Sequence, residues 1–221
     1  MNLFKRKENL QKILNQNNTL KNHMERVFIE QSLPDGKVIL DLGCAEIRDY
    51  SEFLAQKAGA YYGVDISCSM INLAKEKLKT KTNCHLIQSS IENLNLPDNF
   101  FDIIVCNNML AFTNQMSAIN KVFSLLKPEG VCISFYNNTW QYSVYKMFYP
   151  FKPFLRELIH SAVVLINSGF YYLAGLKIFH TTFNIKRNFK KIISRHNLSL
   201  LEIITDNDSL PYSVINFIFI K

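Results

Sequence analysis

Two rhythms of hydrophobic and polar positions run through this chain. Val38-Ile39-Leu40 is an apolar run closed by Asp41, and Tyr61-Tyr62-Gly63-Val64 is a second closed by Asp65. Short runs of this kind predict strands over 37–42, 60–65, 84–88, 101–106 and 130–136. Between them, apolar positions three and four apart predict helices over 47–58, 69–79 and 115–126. Residues 8–31 read as one or two helices, with Leu10, Ile13, Leu14, Met24, Val27 and Phe28 at helical spacing and a break at Asn17-Asn18-Thr19. Pro34-Asp35-Gly36 is a turn. Lys127-Pro128-Glu129-Gly130 closes one helix and opens the next strand. The alternation predicts an α/β fold with a parallel sheet covered on both faces.

Residues 137–183 break the rhythm. Pro150 and Pro153 divide them, and residues 136–183 hold 13 of the 28 aromatic residues in the chain. Regular order is expected again as a helix at 185–196 and strands at 198–205 and 212–220. With 221 residues, 48% of them hydrophobic, the chain suits one elaborated domain with a full core. Its parts are N-terminal helices (1–33), a core (34–136), an aromatic cap (137–183) and a closing helix with two strands (184–221).

Charge and cysteine content narrow the picture. Between Tyr136 and Ser199 lie nine basic residues and one acid, so this segment carries +8 of a net +7 and the remainder is −1. The five cysteines are scattered without a CxxC pair, which suggests neither a disulfide framework nor a zinc site. They read as small hydrophobes in a reducing compartment. Lys5-Arg6-Lys7 is followed by polar Glu8-Asn9, which is not a cleavable-signal pattern. A cytoplasmic setting is therefore expected.

The stretch from Val38 to Asp65 has the layout of a nucleoside-binding βαβ unit, with its two acids 24 residues apart. Gly43, directly after a strand, lets backbone approach a ligand, and the following helix turns its free N–H groups into the same crevice. A dinucleotide site would show GxGxxG for a pyrophosphate, whereas only Gly43 stands here. S-adenosylmethionine (SAM) has no pyrophosphate, and its methionine end needs an acceptor and donors. Asp65 can accept both ribose hydroxyls, with Ile66 and Met70 flanking the adenine. Alternatively, the two acids only cap the helices that follow.

Four motifs, VILDLGCAEIRDY, YYGVDISCSMINLAKEK, SSIENLNLPDNFFDIIVCNNML and INKVFSLLKPEGVCISF, resemble in order and spacing those of the class I SAM-dependent methyltransferases, in particular the methyltransferase-11-like small-molecule branch. The resemblance covers roughly residues 37–136. It implies a Rossmann-like seven-stranded sheet in the order 3-2-1-4-5-7-6 with strand 7 antiparallel. It also implies a SAM site at Asp41, Gly43, Cys44, Ala45, Arg48, Asp65, Ile66, Met70, Ser90, Ile91 and Asn107. Arg48 either pairs with the methionine carboxylate or lies on the helix surface. Asn107 either holds the methionine end or is a strand-end turn residue.

The chain departs from that family at four sites. Ala45 and Ile47 stand where glycines are usual, and a β-branched residue is penalised if the backbone there needs φ > 0. Ser90 replaces an acid that often meets the adenine amino group. Ala111-Phe112 replaces a histidine often found after the fourth strand.

The cap would leave the carboxyl end of the fifth strand, on the acceptor side of such a pocket. Tyr136, Trp140, Tyr145 and His180 are its candidate substrate residues, and a small lipophilic or aromatic acceptor is the expected partner. Methyl transfer is an in-line displacement that needs a general base only if the acceptor must lose a proton, so no catalytic residue is assigned. No metal is expected. Residues 161–176 are uncharged but only 16 long, against roughly 20 for a membrane span, which suggests a buried or interfacial helix. The flanking Lys177, Lys186, Arg187, Lys190 and Lys191 would suit anionic lipid, an anionic substrate or RNA. Two other readings stay open: an RNA methyltransferase using the basic 186–195 helix, and a catalytically silent SAM-binding protein.

Overall fold

A computed structural model describes residues 24–25, 28, 33–107, 109–136, 154–174, 194, 199–206 and 214–221. Five strands form a parallel sheet: β1 (Val38–Leu42), β2 (Ala60–Asp65), β3 (Cys84–Gln88), β4 (Phe101–Asn107) and β5 (Leu126–Tyr136). Their order is β3-β2-β1-β4-β5, and every adjacent pair runs parallel. The expected Rossmann-like α/β core is therefore present. Two further segments, β6 (Ser199–Asp206) and β7 (Val214–Ile220), lie beyond β5.

Strand periodicity divides the core in two. On β1, Leu40 and Leu42 point to one face and Ile39 to the other; on β4, Ile104 and Cys106 oppose Ile103 and Val105. Helix α3 (Gln115–Leu125) covers the first face with Ala118, Ile119, Val122 and Leu125. Helices α1 (Asp49–Lys57) and α2 (Cys68–Lys77) cover the second through Tyr50, Leu54, Ile71 and Ala74. Met24 and Phe28 pack into that second layer. Strands buried on both faces read as near-continuous apolar runs, and β1 and β4 do so apart from Asp41 in β1 and Asp102 and Asn107 near the ends of β4.

Asn114 caps α3 by accepting from Ser117 N at 3.2 Å, and Ser67 caps α2 by accepting from Met70 N at 3.4 Å. The structure departs from two expected boundaries. Helix α1 begins at Asp49, not at 47, because Ile47 has φ +63° and cannot be helical. Strand β5 begins at Leu126, not at 130. It pairs Phe101 with Leu126 and then shifts register to pair Ile103 with Val131, with Glu129 at φ +63° inside the irregularity.

At the amino edge of the sheet, Asp102 accepts from Val38 N at 2.9 Å and from Lys127 Nζ at 3.0 Å. Those partners hold its carboxyl below the usual range against the opposing effect of burial. Asp102 is thus a brace at the end away from the ligand crevice. Of residues 137–183, expected to form a cap, the described part is one helix, α4 (Phe154–Ala174), a continuous 21-residue element. The expected 185–196 helix lies almost wholly outside the described residues.

Candidate functional site

The turn after β1 begins with Gly43 at φ +80°, a conformation open to glycine and strained for other residues. Ala45 and Ile47 follow at φ +49° and +63°. Three alternate residues are therefore left-handed, and two of them carry side chains. Hydrogen bonds hold the turn in this shape. Gly43 N and Cys44 N both donate to Val64 O, at 2.8 and 3.1 Å. Ala45 N donates to Asp65 Oδ2 at 3.0 Å, and Lys77 Nζ reaches back from α2 to Ile47 O at 2.8 Å. The Ile47 side chain is 2% exposed, so apolar burial offsets its backbone strain.

Asp65 ends β2 with both oxygens engaged, Oδ2 by Ala45 N and Oδ1 by Ser67 N at 2.9 Å. A carboxylate has about four lone-pair sites, so each oxygen retains capacity for another donor. Asp65 both shapes the turn and faces a cleft of about 360 Å³ above the carboxyl ends of β1 to β4. This is the crevice in which α/β folds bind ligands.

Of the residues expected in the site, Gly43, Asp65, Ile66, Ser90, Ile91 and Asn107 line this cleft. Asp41, Cys44, Ala45, Arg48 and Met70 lie outside its lining. Arg48 instead projects at the α1 N-cap, half exposed, 3.7 Å from Glu46. Cys44 is buried, and burial drives its thiol pKa upward. The structure adds Leu42, Val64, Ser89, Glu92, Met109, Phe112 and Thr113 to the lining. Three of these follow β4 directly, where the carboxyl-end rule would have found them. Ile66 and Phe112 are 70% and 59% exposed, and they give the cleft an apolar rim. Ser90 Oγ accepts from Asn93 N at 3.3 Å, which engages the hydroxyl that replaces the usual acid.

Behind the cleft lies a buried polar cluster. Asp41 is fully buried and accepts from Ser51 Oγ at 2.6 Å and Tyr61 OH at 2.8 Å through Oδ2. Burial pushes its pKa up from 3.8 to about 6, against the hydrogen bonds of Ser51, Tyr61 and Tyr50. Tyr50 lies beside both Asp41 and Asn107, which brings the cluster up to the cleft wall. Asp41 Oδ1 and Asn107 Oδ1 are both buried without a hydrogen-bond partner. Such orphaned acceptors are costly unless a ligand or water meets them. Tyr50, Ser51 and Tyr61 had no sequence signal beyond helical and strand placement.

Among the described residues no cluster of His, Cys, Asp and Glu could hold a metal ion. Trp140, Tyr145 and His180 lie outside the described residues. Tyr136 ends β5, and only its backbone is described.

Comparison with known proteins adds a family context. A family model described as a methyltransferase domain matches residues 33–162. The uncharacterized methyltransferase YdaC of Bacillus subtilis is 33% identical over 97 residues, 43% of this chain and 53% of that protein. The ubiquinone/menaquinone biosynthesis C-methyltransferase UbiE of Vibrio cholerae is 34% identical over 102 residues, 43% of this chain and 39% of that protein. The chain thus spans about half the length of these curated relatives, or less. Among solved structures, N-methyltransferase NodS of Bradyrhizobium japonicum, in complex with S-adenosyl-L-homocysteine, superposes with a TM-score of 0.64 at 14% identity. That match covers 92% of this chain and 86% of NodS. Magnesium protoporphyrin IX methyltransferase of Synechocystis, also with bound S-adenosylhomocysteine (SAH), gives 0.63 at 15% identity, covering 94% of this chain and 84% of that one. At such identity the likeness is one of fold.

Proposed function

This chain belongs to the methyltransferase domain family, and from that membership we propose that it transfers the methyl group of SAM to a small lipophilic or aromatic acceptor. The observation that carries the cofactor half is the cleft over β1 to β4, with Asp65 at its floor and an unpartnered Asn107 Oδ1 in its wall. Those features fit the cofactor. Asp65 would accept the ribose hydroxyls. Asn107 Oδ1 would accept from the methionine ammonium. Gly43 would let the backbone approach where a side chain stands in the way. Ile66, Ile91 and Phe112 would sandwich the adenine. Ser90 Oγ accepts from Asn93 N but keeps its own O–H and a second lone pair, so it would offer the adenine edge an uncharged partner.

SAM supplies an electrophilic methyl group on a sulfonium, open to in-line displacement. What the chain contributes is position and dryness: a held nucleoside, an oriented methionine end, and apolar walls that exclude water. The buried cluster of Asp41, Tyr50, Ser51 and Tyr61 would orient Asn107 from behind. The positive φ angles at Ala45 and Ile47 support an intact turn despite the missing glycines, which weighs against a silent protein. The family's full strand order, 3-2-1-4-5-7-6 with strand 7 antiparallel, belongs to this reading; its support is the antiparallel register of Val131–Tyr136 with Ile215–Ile220.

The acceptor class rests on the aromatic cap and on the apolar rim of Ile66 and Phe112. A direct test is incubation of the protein with methyl-labelled SAM and a whole-cell extract. Label is expected in the organic-solvent phase. Label confined to precipitated RNA would move the acceptor to nucleic acid, and no transfer with SAM bound would leave a binding protein.

A further inference from the structure

We propose that the outward face of α4 is a docking surface for an anionic lipid bilayer. The helix is inside out. Ser161, Asn167 and Ser168 are buried at 1% exposure or less, while Ile159, Ile166, Phe170 and Leu173 are 47–91% exposed. Those four stand at i, i+7, i+11 and i+14. At 3.6 residues per turn they fall within about 60° of one another and form one stripe. Of seven large exposed hydrophobics among the described residues, these are four; Ile66 and Phe112 belong to the cleft, and only Leu73 stands apart.

The orientation is anchored from inside. The Tyr171 hydroxyl hydrogen-bonds the backbone of Gln115 and Met116 at the start of α3, while the buried Ser168 Oγ is satisfied within α4 itself by donating to Val164 O at 2.6 Å. Turning the stripe inward would break the tie to α3 and take Ser161, Asn167 and Ser168 out of their buried positions. The stripe is therefore built to face outward.

Charge identifies what it faces. No Asp, Glu, Lys or Arg occurs from Leu158 to Leu176, while residues 136–199 around it carry +8. An apolar stripe set in a strongly basic segment matches an anionic lipid surface, which offers both an apolar layer and negative headgroups. A second copy of this chain would bring +8 against +8 and is disfavoured. No helix among the described residues is long and apolar enough to cross a membrane, so α4 lies on the surface. The Tyr171 anchor sits two residues after Thr113 of the cleft, which sets α4 beside the crevice. A lipophilic acceptor would then pass from bilayer to cleft over a short path. Docking itself does not depend on SAM binding.

The test is co-sedimentation of the full chain with phosphatidylcholine vesicles, with and without phosphatidylglycerol, alongside SAM calorimetry on the same proteins. Wild type is expected to pellet with the anionic vesicles and to be released by salt. The double variant Ile166→Gln, Leu173→Gln removes two exposed side chains and leaves the core alone. Its affinity for vesicles is expected to fall at least about tenfold. Leu73→Gln, on the exposed face of α2, should bind vesicles as wild type does, and both variants should keep SAM binding. Three results would overturn the proposal: equal pelleting with neutral and anionic vesicles, unchanged pelleting of the stripe variant, or conversion of an oligomer to a monomer by the stripe variant.

Discussion

The backbone N–H of Ala45 donates to Asp65 Oδ2 at 3.0 Å, so the acid that ends β2 also shapes the turn after β1. One carboxylate thus serves the fold and the cleft together. The same bond helps hold Ala45 at φ +49°, a region that non-glycine residues adopt at a cost.

Glycine at the two strained positions should act in opposite directions. Ala45→Gly relieves backbone strain and gives up little packing, so it should stabilise by up to about 1 kcal/mol. Ile47→Gly relieves the same strain but empties a buried site, so it should destabilise by about 2 kcal/mol net. Urea unfolding of the two variants checks this. Stabilisation by both would show that strain is not offset by burial at Ile47, and destabilisation by both would contradict strain at Ala45.

Asp41 makes stability depend on pH in a defined direction. Its folded-state pKa of about 6 lies above the ordinary 3.8, so ionisation costs the folded state more than the unfolded chain. That cost is absent below the lower value, grows as pH rises between the two, and is complete above the higher one. Asp41→Asn removes the titration. Its stability relative to wild type should therefore rise by about 2–3 kcal/mol between roughly pH 4 and pH 7, read by paired urea titrations. A difference that stays flat across that window would contradict an ionised Asp41 carrying this cost.

Asn107 Oδ1 is a buried acceptor without a partner on a residue that lines the cleft. Asn107→Ala should weaken SAM and SAH binding by roughly tenfold, while unfolding midpoints shift little. Equal affinity in the variant would place the methionine end elsewhere.

How far these features were legible in the sequence follows from their physical origin. Asp41 and Asp65 stand at the ends of apolar runs, so strand periodicity located both. Ile47 was legible as a conflict, because a β-branched residue at a glycine position implies strain. The Asp41, Tyr50 and Tyr61 cluster was not legible, since tyrosines at core spacing read as packing until their hydroxyls are seen to converge. Phe112 was noted only as a replacement, because exposure at a cleft rim leaves no periodic signal. The inverted polarity of α4 was also hidden. An uncharged stretch with small polar residues does not say which side meets the core, and only the Tyr171 contact with Gln115 and Met116 orients it.

Calorimetric titration of SAM into wild type and Asp65→Ala tests the cofactor site most directly. Wild type should bind one SAM per chain. Loss of a charged acceptor that meets the ribose should weaken binding by tenfold to about a hundredfold in the variant. Absence of binding heat in folded wild type, or equal affinity in the two proteins, would contradict a SAM site built on Asp65.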